Sequence, residues 1–142
     1  MFSYSKFTRG YFTYHKHYSI FHFHKTNNMK VYISIPISGR PLHEAKYQTE
    51  CIKAKLVPHG HECITPFDVC PEQGKPYNQY MGRDIEAILS DDIECVVFGA
   101  GFQDSKGCML EHAAAQIYGK HIAYQSCFFM LDFDKLIVKP QK

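Results

Sequence analysis

The stretch Gly101-Phe102-Gln103-Asp104-Ser105-Lys106-Gly107-Cys108-Met109-Leu110-Glu111 holds the residues best spaced for chemistry. Ser105 stands where a helix N-cap is expected, and Gly107 would let a ligand approach the backbone. Unpaired N–H groups at a helix start favour anions such as phosphate. Glu111 follows near the second turn of the same helix, between Leu110 and His112, where it can flank an apolar stripe. The same spacing also fits a capped helix with an ordinary surface glutamate. Asp84 is the second acid of interest. Met81 precedes it and Ile88 follows at helical spacing, so it sits beside an apolar stripe. A carboxylate there must be paired, or desolvation keeps it protonated. Arg83 and Lys106 are cations that could pair with it. Tyr32 alternates with Ser34, so both could project toward one site mouth. A core tyrosine with a partnered hydroxyl is the alternative. Arg40 follows Gly39 in the next loop, where it could grip a phosphate or simply be solvated.

The elements that must carry these residues can be read from hydrophobic period and punctuation. Lys30–Ser34 is a β-branched and aromatic run, closed by Pro36 and Gly39. Pro41 suits a helix start, and Leu42, Ala45, Thr49, Ile52 and Leu56 follow at helical spacing. Pro58 and Gly60 stop that helix. Residues 61–65 read as a second strand, and residues 67–76, with two prolines and a glycine, as a loop. A helix over Tyr77–Leu89 carries the stripe Met81, Ile85, Ile88 and Leu89. The continuous apolar run 93–98 suits a strand covered on both faces. Residues 99–107 form a loop. A helix over 108–118 should turn Leu110, Ala113, Ala114 and Ile117 inward, with Gly119 ending it. His121–Tyr124 is a fourth strand. The tail holds apolar segments at 127–131 and 136–138, of open type.

Strands alternating with helices argue for the α/β class. The expected architecture is a flavodoxin-like or Rossmann-like three-layer sandwich with a mostly parallel sheet of four or five strands. Ligands in such folds bind beyond the carboxyl ends of the strands. The loops at 34–40, 65–76 and 99–107 fit that position, and the chemistry is expected there.

Length and composition bound the rest. The 142 residues suit one domain, and 45% hydrophobic with 21% charged residues excludes a disordered or collagen-like chain. No apolar run approaches the ~20 residues of a membrane helix, so no membrane association is expected. A net charge of +2 gives no basis for nucleic-acid binding. Of the 16 Lys and Arg, however, Lys6, Arg9, Lys16 and Lys25 fall in residues 1–28, with none of the 14 acids. That segment is rich in aromatics and histidine and lacks a regular stripe. It reads as an extension, with the working domain at 29–142; a basic-aromatic arm for nucleic acid is the alternative. Six cysteines without Cys-x-x-Cys spacing suggest free thiols in a reducing compartment, hence a cytoplasmic protein. His59, His61, Cys63 and Cys70 lie close in sequence, but their spacing does not suit zinc, so no metal is expected.

Taken in order, these segments resemble the nucleoside 2-deoxyribosyltransferase-like family. The resemblance covers about residues 29–124. It rests on Lys30-Val31-Tyr32-Ile33-Ser34 with Pro36 and Gly39, on Tyr80-Met81-Gly82-Arg83-Asp84-Ile85, and on Asp104-Ser105-Lys106-Gly107 through Glu111. It implies cleavage or exchange of the N-glycosidic bond of a deoxynucleoside or its 5′-monophosphate. Glu111 would be the nucleophile at the anomeric carbon, Asp84 the proton donor and acceptor near the base, and Tyr32 would hold the glutamate in line. Ser34, Gly39, Arg40, Ser105 and Gly107 would meet the substrate or its phosphate. Transferases of the family often carry an aspartate where this chain has Ser105; a serine resembles the 2′-deoxynucleoside 5′-phosphate N-hydrolase branch. A hydroxyl attracts phosphate where a carboxylate would repel it. The expected activity is therefore nucleotide hydrolysis without a cofactor, the alternative being deoxyribosyl transfer. A homodimer is implied by resemblance only. Ile35-Pro36 departs from the Gly-Pro or Gly-Ser of many relatives. A branched side chain there could fill ligand space, leaving a non-catalytic nucleotide-binding module as a further alternative.

Overall fold

The computed structural model describes residues 28–127. The N-terminal arm and the apolar tail segments beyond Cys127 lie outside them. Val31, Tyr32 and Ile33 favour extended backbone, and Lys30–Ser34 forms strand β1. Helix α1 spans Leu42–Leu56 behind Pro41. One 3-10 turn, Val57–His59, follows it. Gly60 then reverses the chain at φ 87°, a left-handed value that glycine adopts without strain. Strand β2 is Glu62–Ile64.

Residues 66–69 depart from the expected loop. Pro66–Val69 is a short helix, α2. Thr65 and Asp68 cap it reciprocally: the Asp68 N–H donates to Thr65 Oγ1, and the Thr65 N–H donates to the Asp68 carboxylate at 2.9 Å. Together with proline at the first helical position, this satisfies the orphan donors of one turn. Helix α3 (Tyr77–Leu89), strand β3 (Cys95–Phe98), helix α4 (Lys106–Ile117) and strand β4 (His121–Tyr124) follow among the described residues. A 3-10 turn, Phe102–Asp104, leads into α4.

The four strands are parallel, in the order β2-β1-β3-β4. Tyr32 pairs with Ile64 on one side and Val96 on the other. Alternation along the strands then builds two cores. Val31, Ile33, Cys95 and Val97 pack on Ala45, Ile52 and Leu56 of α1. Tyr32, Val96, Phe98 and Ile122 face Ile88 of α3 and Cys108 and Ala115 of α4. Burial on both faces explains why the strand runs are continuously apolar. The result is a flavodoxin-like or Rossmann-like sandwich of three layers. Its strand order reverses between β1 and β3, the point at which such sheets open a crevice at their carboxyl ends.

Helix α4 turns a different face inward from the one its sequence suggests. Leu110 and Ile117 are 53% and 78% exposed, and Ala113 and Ala114 are only half-buried; Cys108, Glu111 and Ala115 are buried. Residues 108, 111 and 115 share one helical stripe. Two of them are small, which lets the helix lie close to β3. Helix α3 behaves similarly. Met81 and Ile88 are buried as expected, but Asp84 completes their stripe, while Ile85 and Leu89 are half-buried.

Candidate active site

At the carboxyl ends of β1 and β3 the loops and the starts of α3 and α4 enclose a cavity of about 370 Å³. That lies within the usual range for small-molecule sites. Asp84 and Glu111 both line it, with Ser105, Gly107 and Cys108. The helices explain this convergence. Both α3 and α4 pack on the same sheet face after parallel strands, so both N-termini open toward the strand ends. Asp84 lies on the α3 stripe that runs from Tyr77 through Met81, and Glu111 lies on the α4 stripe of Cys108. Helical side chains lean toward the N-terminus, which carries both carboxylates toward the cavity.

Both acids are withdrawn from solvent, at 6% exposure for Asp84 and 4% for Glu111. Neither meets a cation: Arg83 instead pairs with Glu72 at 2.9 Å. Asp84 Oδ1 has no hydrogen-bond partner among the described residues. Burial pushes the Asp84 carboxyl up to about 6, against a smaller opposing influence of the Tyr32 hydroxyl. Burial pushes Glu111 up to about 8; Ser34 opposes this, and the Asp84 charge adds to it. Between these two values Glu111 is protonated and Asp84 ionised, so the two acids together carry one proton near neutrality.

Tyr32 and Ser34 project from β1 beneath the two acids. Tyr32 is fully buried, and burial raises its phenol well above the ordinary value, followed by the charges of Glu111 and Asp84. Neither the Tyr32 nor the Ser34 hydroxyl makes a well-formed hydrogen bond among the described residues. Neither residue lines the cavity, so both lie behind its wall. Ser105 caps α4, its hydroxyl accepting from the Cys108 N–H at 3.3 Å. The next cavity residue, Gly107, has a packing reason to lack a side chain. A Cβ there would stand 3.0 Å from the Tyr77 hydroxyl and 3.1 Å from the Met81 sulfur.

Besides Ser34, two more of the expected substrate and phosphate residues, Gly39 and Arg40, do not line the cavity. Arg40 Nη1 donates to Gln48 Oε1 at 2.6 Å, and its other nitrogen lies 3.9 Å from Glu44. Gly39, at φ 80°, occupies the same outer turn. Among the described residues lining the cavity, Lys75 is the cation, and it stands 3.9 Å from Glu72. Ile35 does line the cavity, yet its side chain belongs to the α1 core, and open volume remains beside it. Sequence reasoning placed the 65–76 loop at the ligand end of the sheet but named none of its wall residues, Phe67, Cys70 and Lys75, nor Tyr77 beside them. The Thr65-Pro66-Phe67-Asp68 capping pattern was the available signal for the start of this wall.

Among the described residues no group of three or more His, Cys, Asp or Glu could hold a metal ion. His61 is instead buried at the foot of β2, with its Nδ1 accepting from the Met29 N–H. No described helix is long and apolar enough to cross a membrane.

Comparison with known families adds one match. The sequence profile of DUF4406, described as a domain of unknown function, matches residues 29–124. The chain belongs to this family. The matched span of this DUF4406 protein begins just before β1 and ends with β4, so it holds all four described strands and every candidate site residue. No curated protein matches the chain.

Proposed function

We propose that this DUF4406 protein hydrolyses the N-glycosidic bond of a deoxynucleoside 5′-monophosphate. The observation that carries the reading is the convergence of Asp84 and Glu111 on one cavity, with Tyr32 beneath them. Its family side is the resemblance to nucleoside 2-deoxyribosyltransferase-like enzymes, which matches these three positions. In this reading the Glu111 carboxylate attacks the anomeric carbon of deoxyribose. The carbon–nitrogen bond breaks, its electron pair leaves with the base, and Asp84 supplies the base's proton. Asp84 then takes a proton from water, whose oxygen displaces Glu111 and frees the sugar phosphate. Covalent catalysis of this kind divides one hard displacement into two easier ones.

The chemistry needs one proton on the pair, placed on Asp84. In the free cavity Glu111 holds its proton to the higher pH. Positive charge developing at the anomeric carbon favours ionised Glu111 and moves the balance the required way. The N-termini of α3 and α4 add a field that suits an anionic ligand. The test is incubation with a panel of deoxynucleotides and detection of free base. No release by the unaltered protein, or full release by Glu111→Ala, defeats the reading.

The engagement of Arg40 with Gln48 and Glu44 favours a second reading, in which an uncharged deoxynucleoside is the substrate and a second base the acceptor. Exchange of base between nucleosides, without net hydrolysis, would distinguish it. Cytoplasmic location and a homodimer belong to the same proposal through the resemblance.

A further inference from the structure

The helix starts hold one group that the proposed chemistry does not use. Tyr77 opens α3, lines the cavity, and is 53% exposed. Its hydroxyl sits against Gly107 in the first turn of α4, close enough that a Cβ there would meet it at 3.0 Å. No hydrogen bond to that hydroxyl occurs among the described residues. Beside it, the first-turn N–H groups of Lys106 and Gly107 precede the earliest donor that the Ser105 cap satisfies, Cys108. A phenolic donor and unpaired backbone donors thus face the same corner of the cavity. Further along the same two helix faces, Asp84 presents a buried, unpartnered carboxylate oxygen to that cavity.

Helix geometry sets the scale of the corner. Ser105 to Glu111 is about 9 Å along α4 at ~1.5 Å per residue, and the Glu111 side chain leans back toward Ser105. A deoxyribose phosphate lying along this face would present its anomeric carbon to Glu111 and its 5′ end to the helix start. Tyr77 then meets the 5′ end, because it is the α3 residue two turns before Asp84.

We propose that Tyr77 is a specificity-determining residue whose hydroxyl donates a hydrogen bond to the 5′-phosphate, beside the Gly107 N–H. The inference rests on the N-glycosidase reading for the direction of the ligand. It explains how a phosphate is held where Arg40 is turned away: neutral donors at two helix starts take the place of a guanidinium. It also gives Gly107 a functional reason, since a side chain there would displace the hydroxyl.

The experiment is calorimetric titration of the unaltered chain, Tyr77→Phe and Gly107→Ala with deoxynucleoside 5′-monophosphates and the matching nucleosides. Base release is measured in parallel. A hydrogen bond to a charged group predicts about tenfold weaker nucleotide binding by Tyr77→Phe, with nucleoside binding unchanged. Gly107→Ala shares the selective loss, and melting temperatures check that both variants fold. Equal nucleotide affinity in Tyr77→Phe and the unaltered chain overturns the inference, and base release then leaves the N-glycosidase reading standing. Tyr77-dependent nucleotide binding without any base release supports the contact while the N-glycosidase reading falls. Failure of the unaltered chain to bind any nucleotide overturns the contact outright.

Discussion

Asp84 of α3 and Glu111 of α4 line one cavity, and the charge on Asp84 helps hold Glu111 in its protonated form. Burial is the larger cause, and it sets the two acids to lose their protons in sequence, Asp84 first. In the proposed reaction the fully protonated pair lacks a nucleophile, and the fully ionised pair lacks an acid. Only the singly protonated pair is competent.

The pH dependence of base release should therefore be bell-shaped. The pair titrates near 6 and near 8, so kcat/KM should rise through the first and fall through the second. Measured profiles on one deoxynucleotide check this. A flat profile from pH 5 to 9 contradicts the shared proton.

Glu111→Gln should abolish base release, by about 10³-fold or more, if the carboxylate is the nucleophile. The same substitution should change stability in the opposite sense. Burial raises Glu111 from 4.5 to about 8, so the unfolded chain ionises first. The native state is then penalised progressively as pH rises from about 4.5 to 8. A neutral glutamine escapes that penalty. The variant should gain several kcal/mol, roughly 5 at most, over the unaltered chain by pH 9, and little at pH 4. Urea melts at both pH values measure the difference.

Tyr32→Phe separates positioning from structure. Its buried hydroxyl lacks a well-formed partner, so removing it should leave stability unchanged or raise it by up to ~1 kcal/mol. Activity should fall about 10- to 100-fold, because the group beneath both acids is lost. Destabilisation in proportion to the loss of activity would instead mark a purely structural tyrosine.

Core substitutions test which helix faces are buried. Ile88→Ala removes a fully buried side chain of the α3–sheet core and should cost about 2–5 kcal/mol. Leu110→Ala, on the exposed face of α4, should cost no more than ~0.5 kcal/mol. Comparable losses from the two would place Leu110 inside.

Much of this fold was legible in the chain itself. The runs through Val31 and Val96 announced strands buried on both faces, and Tyr77–Leu89 carried its helical period openly. Ser105 has the right side chain to cap, and it caps α4 through a contact only three residues away. Such features depend on local backbone geometry, so neighbouring residues determine them.

The inward face of α4 and the destination of Arg40 were not legible. Leu110 and Ile117 look like core residues, yet the close approach of Cys108 and Ala115 to the sheet turns them outward. Arg40 precedes α1 directly, and Glu44 and Gln48 in the first turns of that helix hold it away from the cavity. The sequence by itself determined the order and approximate extent of the strands and longer helices, though not the short α2, and which acids were worth following. Only tertiary packing decided that Asp84 and Glu111 meet, that Tyr32 lies under them, and that Tyr77 touches Gly107. Those relations depend on how helices from separate crossovers settle on one sheet, and no local period encodes that.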